Sequence, residues 1–249
     1  MNRQDKIQTI HTSQTEQPES VQAPGLKTSR IEALSDGIFA VAMTLLVLNI
    51  TPEAITDTKY PVLNLLSPSE GGQGIKLFAY LLSFMVLGFY WVGHHAQFQY
   101  IKRVNRPLLW INLAFLFSIS FLPFSTAFLA KFEFYRQVEA FYGVHIVFTG
   151  AILYCHWWYA ARTPLITGHL DRHLVRMAAR RILYAPAIAL FAIGLSLIIP
   201  IAGLACYAVI PLVYFFPGHI DLHWTRPRVN GAHENHEHES EKQISETDA

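Results

Sequence analysis

The sequence predicts an all-α integral membrane protein, a bundle of six transmembrane helices with both termini cytoplasmic. Three observations predict it: a low charge content, a series of apolar runs long enough to cross a bilayer, and an uneven distribution of Lys and Arg between alternate connecting segments. Of the 249 residues, 52% are hydrophobic and 15% charged, with a mean hydropathy of +0.26. Soluble domains carry roughly 25% charged residues, so this deficit points to lipid as the solvent. A net charge of +1 with dispersed Lys and Arg argues against a nucleic-acid partner. Cys155 and Cys206 lie in apolar runs, where thiols act as small hydrophobes, and neither belongs to a disulfide framework or a CxxC metal site.

Residues 1–29 are polar, lack the apolar core of a cleaved signal, and read as a flexible cytoplasmic segment. A membrane crossing needs about 20 mostly apolar residues. The first runs from Ile31 to Ile50 and is stopped by Pro52; the second runs from Ile75 to about Phe98. The third, PLLWINLAFLFSISFLPFSTAFLA, follows Arg106 and contains Pro123, which a membrane helix tolerates as a kink where neighbours satisfy the freed carbonyl. The fourth spans Val138 to Ala161. The last apolar block, Ile182 to Phe216, is too long for one crossing and divides at Pro200 into two helices. The transmembrane domain therefore covers residues 30–217. Residues 218–249 are rich in Glu and His and too polar to form a core, so they read as a flexible cytoplasmic tail in which His233–Glu239 is a solvated acidic run rather than a metal site.

The charge distribution orients these helices. With the N-terminus cytoplasmic, only Lys59, Lys76, Lys131 and Arg136 fall on the outer side, leaving 15 of the 19 Lys and Arg inside, as the positive-inside rule requires. Five crossings would place the C-terminal arginines outside and spoil the asymmetry. The loop containing Arg172, Arg176, Arg180 and Arg181 sits beside the inner membrane surface, where orientation alone accounts for its charge. Trp110, Trp157, Trp158, Tyr159 and Trp224 lie near predicted helix ends, and two readings fit them: anchoring at headgroup level, or packing within the bundle.

The first helix has two distinct faces. At 100° per residue, Leu34, Ile38, Val41, Leu45 and Leu48 fall within about 40° of one line, a continuous aliphatic stripe. Asp36, Ala40 and Met43 lie opposite, and Gly37 with Thr44 flanks the stripe. An ionisable group at membrane depth turns toward partner helices, which predicts that Asp36 faces the interior of its own subunit. Candidate partners at the same level are Arg30, Ser35, His94, His95, Asn105 and Asn112. Such a cluster serves either as a hydrogen-bond network fixing helix register or as part of a gate. From periodicity alone the stripe is a lipid-facing or packing seam.

Two further function classes are open from the residues. His94, His95, His145 and His156 raise the possibility of a membrane-embedded metal or haem enzyme. However, adjacent histidines point about 100° apart, and His145 and His156 are three turns apart. Pro123 and Pro186 are the interior breakers that would suit a proton-coupled secondary transporter. A haem band in the optical spectrum would mark the first; concentrative uptake would mark the second.

Three segments in order, RxxxLSDGxxAxxxTLLxL from Arg30, YWxGHH from Tyr90 and NRPLLWINLxFLFxxxFLPFST from Asn105, closely resemble the bacterial, single-repeat branch of the transmembrane protein 175 family of potassium channels. The family hallmark, an arginine followed by Phe-Ser-Asp, is matched by Arg30 with Leu34-Ser35-Asp36, leucine replacing the aromatic. The resemblance implies a cation channel weakly selective for potassium over sodium. It implies a homotetramer in the cell membrane, with the first helix of each subunit lining a central pore, no enzyme activity and no cofactor besides the permeant ion. Partners are then other copies of the chain, the bilayer and monovalent cations. Carried over, the hydrophobic constriction falls on Val41, Leu45 and Leu48 with Thr44 beside them, and Leu34 and Ile38 line the pore. Val41 is smaller than the usual residue there, which shifts the constriction toward Leu45 and Leu48. Arg30, Ser35, Asp36, His94 and Asn112 map to a polar network that braces the pore helix. No TVGYG segment exists for a carbonyl-ring filter, so aliphatic rings gate by dewetting and penalise the more tightly hydrated sodium.

Overall fold

A computed structural model describes residues 28–51, 59–67, 73–132, 135–166 and 172–215. The proposed N-terminal segment up to residue 27 and the tail from residue 216, with Trp224 and the His233–Glu239 run, lie outside the described residues.

The described residues are helical nearly throughout. In order come α1 (Thr28–Leu46, continued by a 3-10 turn, Val47–Asn49), α2 (Pro61–Leu66), α3 (Gly74–Tyr100), α4 (Arg106–Lys131), α5 (Arg136–Arg162), α6 (Arg172–Ser196), α7 (Pro200–Tyr207) and α8 (Val209–Phe215). Among the described residues the only β pairing is an isolated bridge between Ile101 and Ile166. Helices α1, α3, α4, α5 and α6 are each long and apolar enough to span a bilayer, so this is a multi-pass membrane protein.

Two boundaries differ from expectation. The fifth long helix begins at Arg172 rather than near Ile182, because RHLVRMAARR consists largely of good helix formers and continues the helix beyond the apolar core. The last apolar block divides before Pro200 as expected, but its second part is itself not one continuous helix. It breaks at Ala208 into segments of 8 and 7 residues, since Pro211 has no N–H to bond the carbonyl one turn earlier, and neither segment alone reaches crossing length.

Polar ties define one end of the bundle. Asn105 caps α4, its Oδ1 accepting from the Leu108 N–H at 3.0 Å while its Nδ2 donates to the Tyr159 hydroxyl at 2.8 Å. The Lys102 N–H donates to the Leu165 carbonyl at 2.9 Å, placing the α3–α4 and α5–α6 connections side by side. Lys102, Arg103, Arg106 and Arg162 therefore share a basic end. Of the terminal aromatics, Trp110 and Trp158 are exposed, whereas Trp157 packs within the bundle and donates to the Val175 carbonyl at 3.1 Å.

Lipid is as apolar as leucine, so close backbone approach and interhelical hydrogen bonds hold the bundle together. Helices α5 and α6 meet at Gly150, where a methyl group would overlap the Pro186 ring, and at Gly143, where it would overlap Ile193 and Tyr207. Deeper in, Ser83 shares hydrogen bonds with Tyr142 at 2.9 Å and Thr126 at 2.7 Å, and the Tyr90 hydroxyl donates to the Ile146 carbonyl at 2.7 Å.

Candidate ion pathway along the first helix

Helix α1 is docked on α3 and α4 by one face only. Ile31, Ser35, Phe39, Ala42 and Leu46, spaced by four, four, three and four, are buried. Phe39 is the anchor, its ring 5.9 Å from Phe115 of α4 and 6.2 Å from His94 of α3. The aliphatic stripe lies about 100° round the helix from this face. Leu34, Val41, Leu45 and Leu48 are 48%, 57%, 43% and 67% exposed, and Ile38 is half-buried. Thr44, beside them, is exposed and turns its hydroxyl back onto its own helix, donating to the Ala40 and Val41 carbonyls. Ala33, Gly37 and Ser120 of α4 complete a shallow depression around Leu34, Ile38, Val41 and Leu45.

The five residues assigned to bracing take four separate positions. His94 and Asn112 are together, both buried, with Nε2 to Oδ1 at 2.8 Å; an amide oxygen only accepts, so Nε2 carries the proton. The His94 ring also stacks on Phe115 at 5.2 Å, directly beneath Phe39. Asp36 is tied to α3 through Trp91, whose Nε1–H donates to Oδ1 at 2.8 Å, while the Trp91 indole stacks on His95. Ser35 bonds to its own helix, donating to the Ile31 carbonyl at 2.9 Å. Arg30 is exposed in the first turn.

Sequence reasoning did not reach Trp91 as the partner of Asp36, although it lies in the same YWxGHH run, one turn before His94. Nor did it identify the Gln97 tie: the Gln97 amide bonds to His156 Nδ1 at 2.6 Å and to the Leu153 carbonyl at 3.2 Å. His145 is held by Ser125 at 2.7 Å and by Ser118. His94, His145 and His156 thus act as interhelical hydrogen-bonding groups, whereas His95 stacks on Trp91 of its own helix. Among the described residues, no three His, Cys, Asp or Glu side chains converge as a metal site.

These elements are the ones that known proteins share with this chain. The sequence profile described as the endosomal/lysosomal potassium channel TMEM175 matches residues 30–123, which carry α1, α3 and most of α4. A protein of Streptomyces collinus named as a potassium channel is 35% identical over 202 residues, covering 76% of this chain and 92% of its own length. Another, from Chamaesiphon minutus, also named as a potassium channel, is 36% identical over 180 residues, covering 69% and 85%. Among solved structures, the crystal structure of a lysosomal potassium-selective channel TMEM175 homolog from Chamaesiphon minutus superposes with a TM-score of 0.62 at 28% identity, covering 76% of this chain and 96% of that one. With the match extending over nearly the full length of these relatives, the chain belongs to the transmembrane protein 175 family, a family of ion channels and not of enzymes.

Proposed function

We propose that the protein is a potassium channel, weakly selective over sodium, whose pore is lined by the α1 stripe of four identical subunits. The observation that carries this reading is the stripe itself: a row of large aliphatic side chains on a helix only lightly embedded in its own subunit, left uncovered by α3 and α4. In a closed cyclic assembly the same patch of each copy faces the axis. The shallow depression at Ala33 and Gly37 suits close packing by a neighbouring α1.

Leu45 and Leu48 then form stacked aliphatic rings with Val41 beside them. Such rings conduct when wetted and close by dewetting, and stripping part of an ion's hydration there penalises sodium more than potassium. The Asp36–Trp91 bond and the His94–Asn112 pair brace α1 from behind, so the rings keep their radius. The relatives named as potassium channels support the choice of ion. We read α7 and α8 together as a sixth, interrupted crossing, with both termini cytoplasmic in the cell membrane, because this places the basic end of the bundle inside.

The test is current across a planar bilayer containing the purified, reconstituted protein, with potassium on one side and sodium on the other. A reversal potential displaced toward that of potassium, and moved toward zero by Leu45→Ala or Leu48→Ala, is the expected result. A reversal potential at zero in the wild type, or one unmoved by both substitutions, would remove the stripe from the selectivity mechanism.

A further inference from the structure

One end of the bundle carries positive charge that the described residues do not compensate. Lys102 and Arg103 in the α3–α4 connection, Arg106 at the start of α4, Arg162 at the end of α5, and Arg176 and Arg180 in α6 are all exposed. The bond from the Lys102 N–H to the Leu165 carbonyl brings the two connections together, and the bond from Trp157 Nε1–H to the Val175 carbonyl brings α6 alongside. None of the six forms an ion pair among the described residues, and Arg162 lies over the Trp158 ring at 4.2 Å. Connecting residues 101–105 and 163–166 include no Asp or Glu. Helix α1 sends Glu32 and Asp36 toward this end, but Asp36 is bonded to Trp91 and neither pairs with these cations.

The chain leaves the described bundle toward the same end. Tyr207 of α7 donates at 2.9 Å to the Glu139 carbonyl in the first turn of α5, at the opposite end of the bundle. Seven residues on, Tyr214 of α8 donates at 2.6 Å to the Arg181 carbonyl, about 9 Å along α6 from Val175. Helices α7 and α8 therefore run toward the basic end, and the sequence beyond Phe215 continues from there. Residues 231–249 hold Glu234, Glu237, Glu239, Glu241, Glu246 and Asp248 against Lys242 alone, six side-chain carboxylates to one ammonium. Glu234 follows Phe215 by 19 residues, a tether of at most about 65 Å. That length reaches any part of a bundle end whose helices stand about 10 Å apart.

We propose that the acidic segment at residues 234–248 docks on the basic end of its own subunit, its carboxylates pairing with Lys102, Arg103 and Arg106 and with the exposed arginines of α5 and α6. Exposed ion pairs are weak one at a time. The tether holds the two partners at millimolar effective concentration, so several weak pairs act together. An anionic leaflet repels the same carboxylates, which leaves the basic connections as the complementary surface within reach. This interaction does not depend on which ion the pore passes.

The experiment is zero-length carbodiimide cross-linking of the full-length protein in phosphatidylcholine nanodiscs, with and without phosphatidylglycerol, read by peptide mass spectrometry. Lys102 is the one amine among the six cations, so the expected product joins it to a carboxylate of residues 234–248 in both membranes, at monomer mass on a denaturing gel. Raising the salt from about 0.05 M to about 0.5 M should lower the yield severalfold. Arg103→Gln combined with Arg106→Gln should do the same while leaving both reacting groups in place; size-exclusion chromatography identifies a variant that fails to fold. No such cross-link in phosphatidylcholine, or a yield unmoved by salt and by the folded double variant, would overturn the proposal. Loss of the link on adding phosphatidylglycerol would give the surface to lipid headgroups, and a cross-linked dimer would give it to the segment of a neighbouring copy; either result also overturns the proposal.

Discussion

Helices α1 and α4 have the same hydropathy, yet 28% of the most apolar window of α1 is buried within the subunit, against 56% for α4. In water such a difference would be costly; in lipid it is not, because apolar surface gains little by leaving one hydrocarbon for another. What distinguishes the two helices is their polar and small residues. Helix α4 buries Asn112, Ser118, Ser125 and Thr126 in bonds to α3 and α5, whereas α1 buries Ser35 alone and is held by Phe39 and by the Asp36–Trp91 bond. Of these two helices, the one with fewer polar ties is free to present its aliphatic face elsewhere.

That contrast sets an order of expected effects. Removing the α1 anchor with Phe39→Ala empties a contact shared with Phe115 and His94 and should lower stability by about 4 kcal/mol, read as a large fall in the thermal midpoint in detergent. A normal midpoint would mean that α1 is not held by this ring. Next, Gly150→Ala introduces a methyl group into the Pro186 ring and should cost about 2 kcal/mol, with the same substitution at Gly194, where the space is open, serving as a near-silent control. Trp91→Phe deletes the donor to Asp36 and should cost about 1.5 kcal/mol; a double-mutant cycle with Asp36→Ala should show strong coupling between the two. At the bottom of the stability scale, Leu48→Ala should change stability by less than about 0.5 kcal/mol, since the side chain touches little of its own subunit, while raising single-channel conductance severalfold. A Leu48→Ala variant as unstable as Phe39→Ala would erase the distinction between the two faces.

The long helices were legible in the sequence because a bilayer demands runs of fixed length, and the LSDG, YWxGHH and NRPLLWINL segments identified the helices that surround the stripe. Finer features were less legible, for identifiable physical reasons. Hydropathy registers where the hydrocarbon ends but not where the helix ends, so the arginine-rich first turns of α6 read as a loop. A proline count marked the break at Pro200 but passed over Pro211, which divides α7 from α8. The periodicity of α1 isolated the stripe correctly as a face, yet it could not say which neighbour covers the adjacent face; that depends on Phe115 and His94, far along the chain. Asp36 had several polar residues at its level, and the partner proved to be an indole N–H, a donor that leaves no mark in a pattern of charges.

The proposed pore is lined by the exposed stripe of α1. Its most direct test is cysteine accessibility in reconstituted channels, with Cys155 and Cys206 first replaced by serine and a single cysteine introduced at Leu48 or, for comparison, at Phe117, which is 70% exposed on α4. A charged, water-borne thiol reagent should reduce potassium current through Leu48→Cys channels and leave Phe117→Cys channels unaffected. Block at Phe117→Cys with persistent current at Leu48→Cys would place the pore on another face of the bundle and contradict the account.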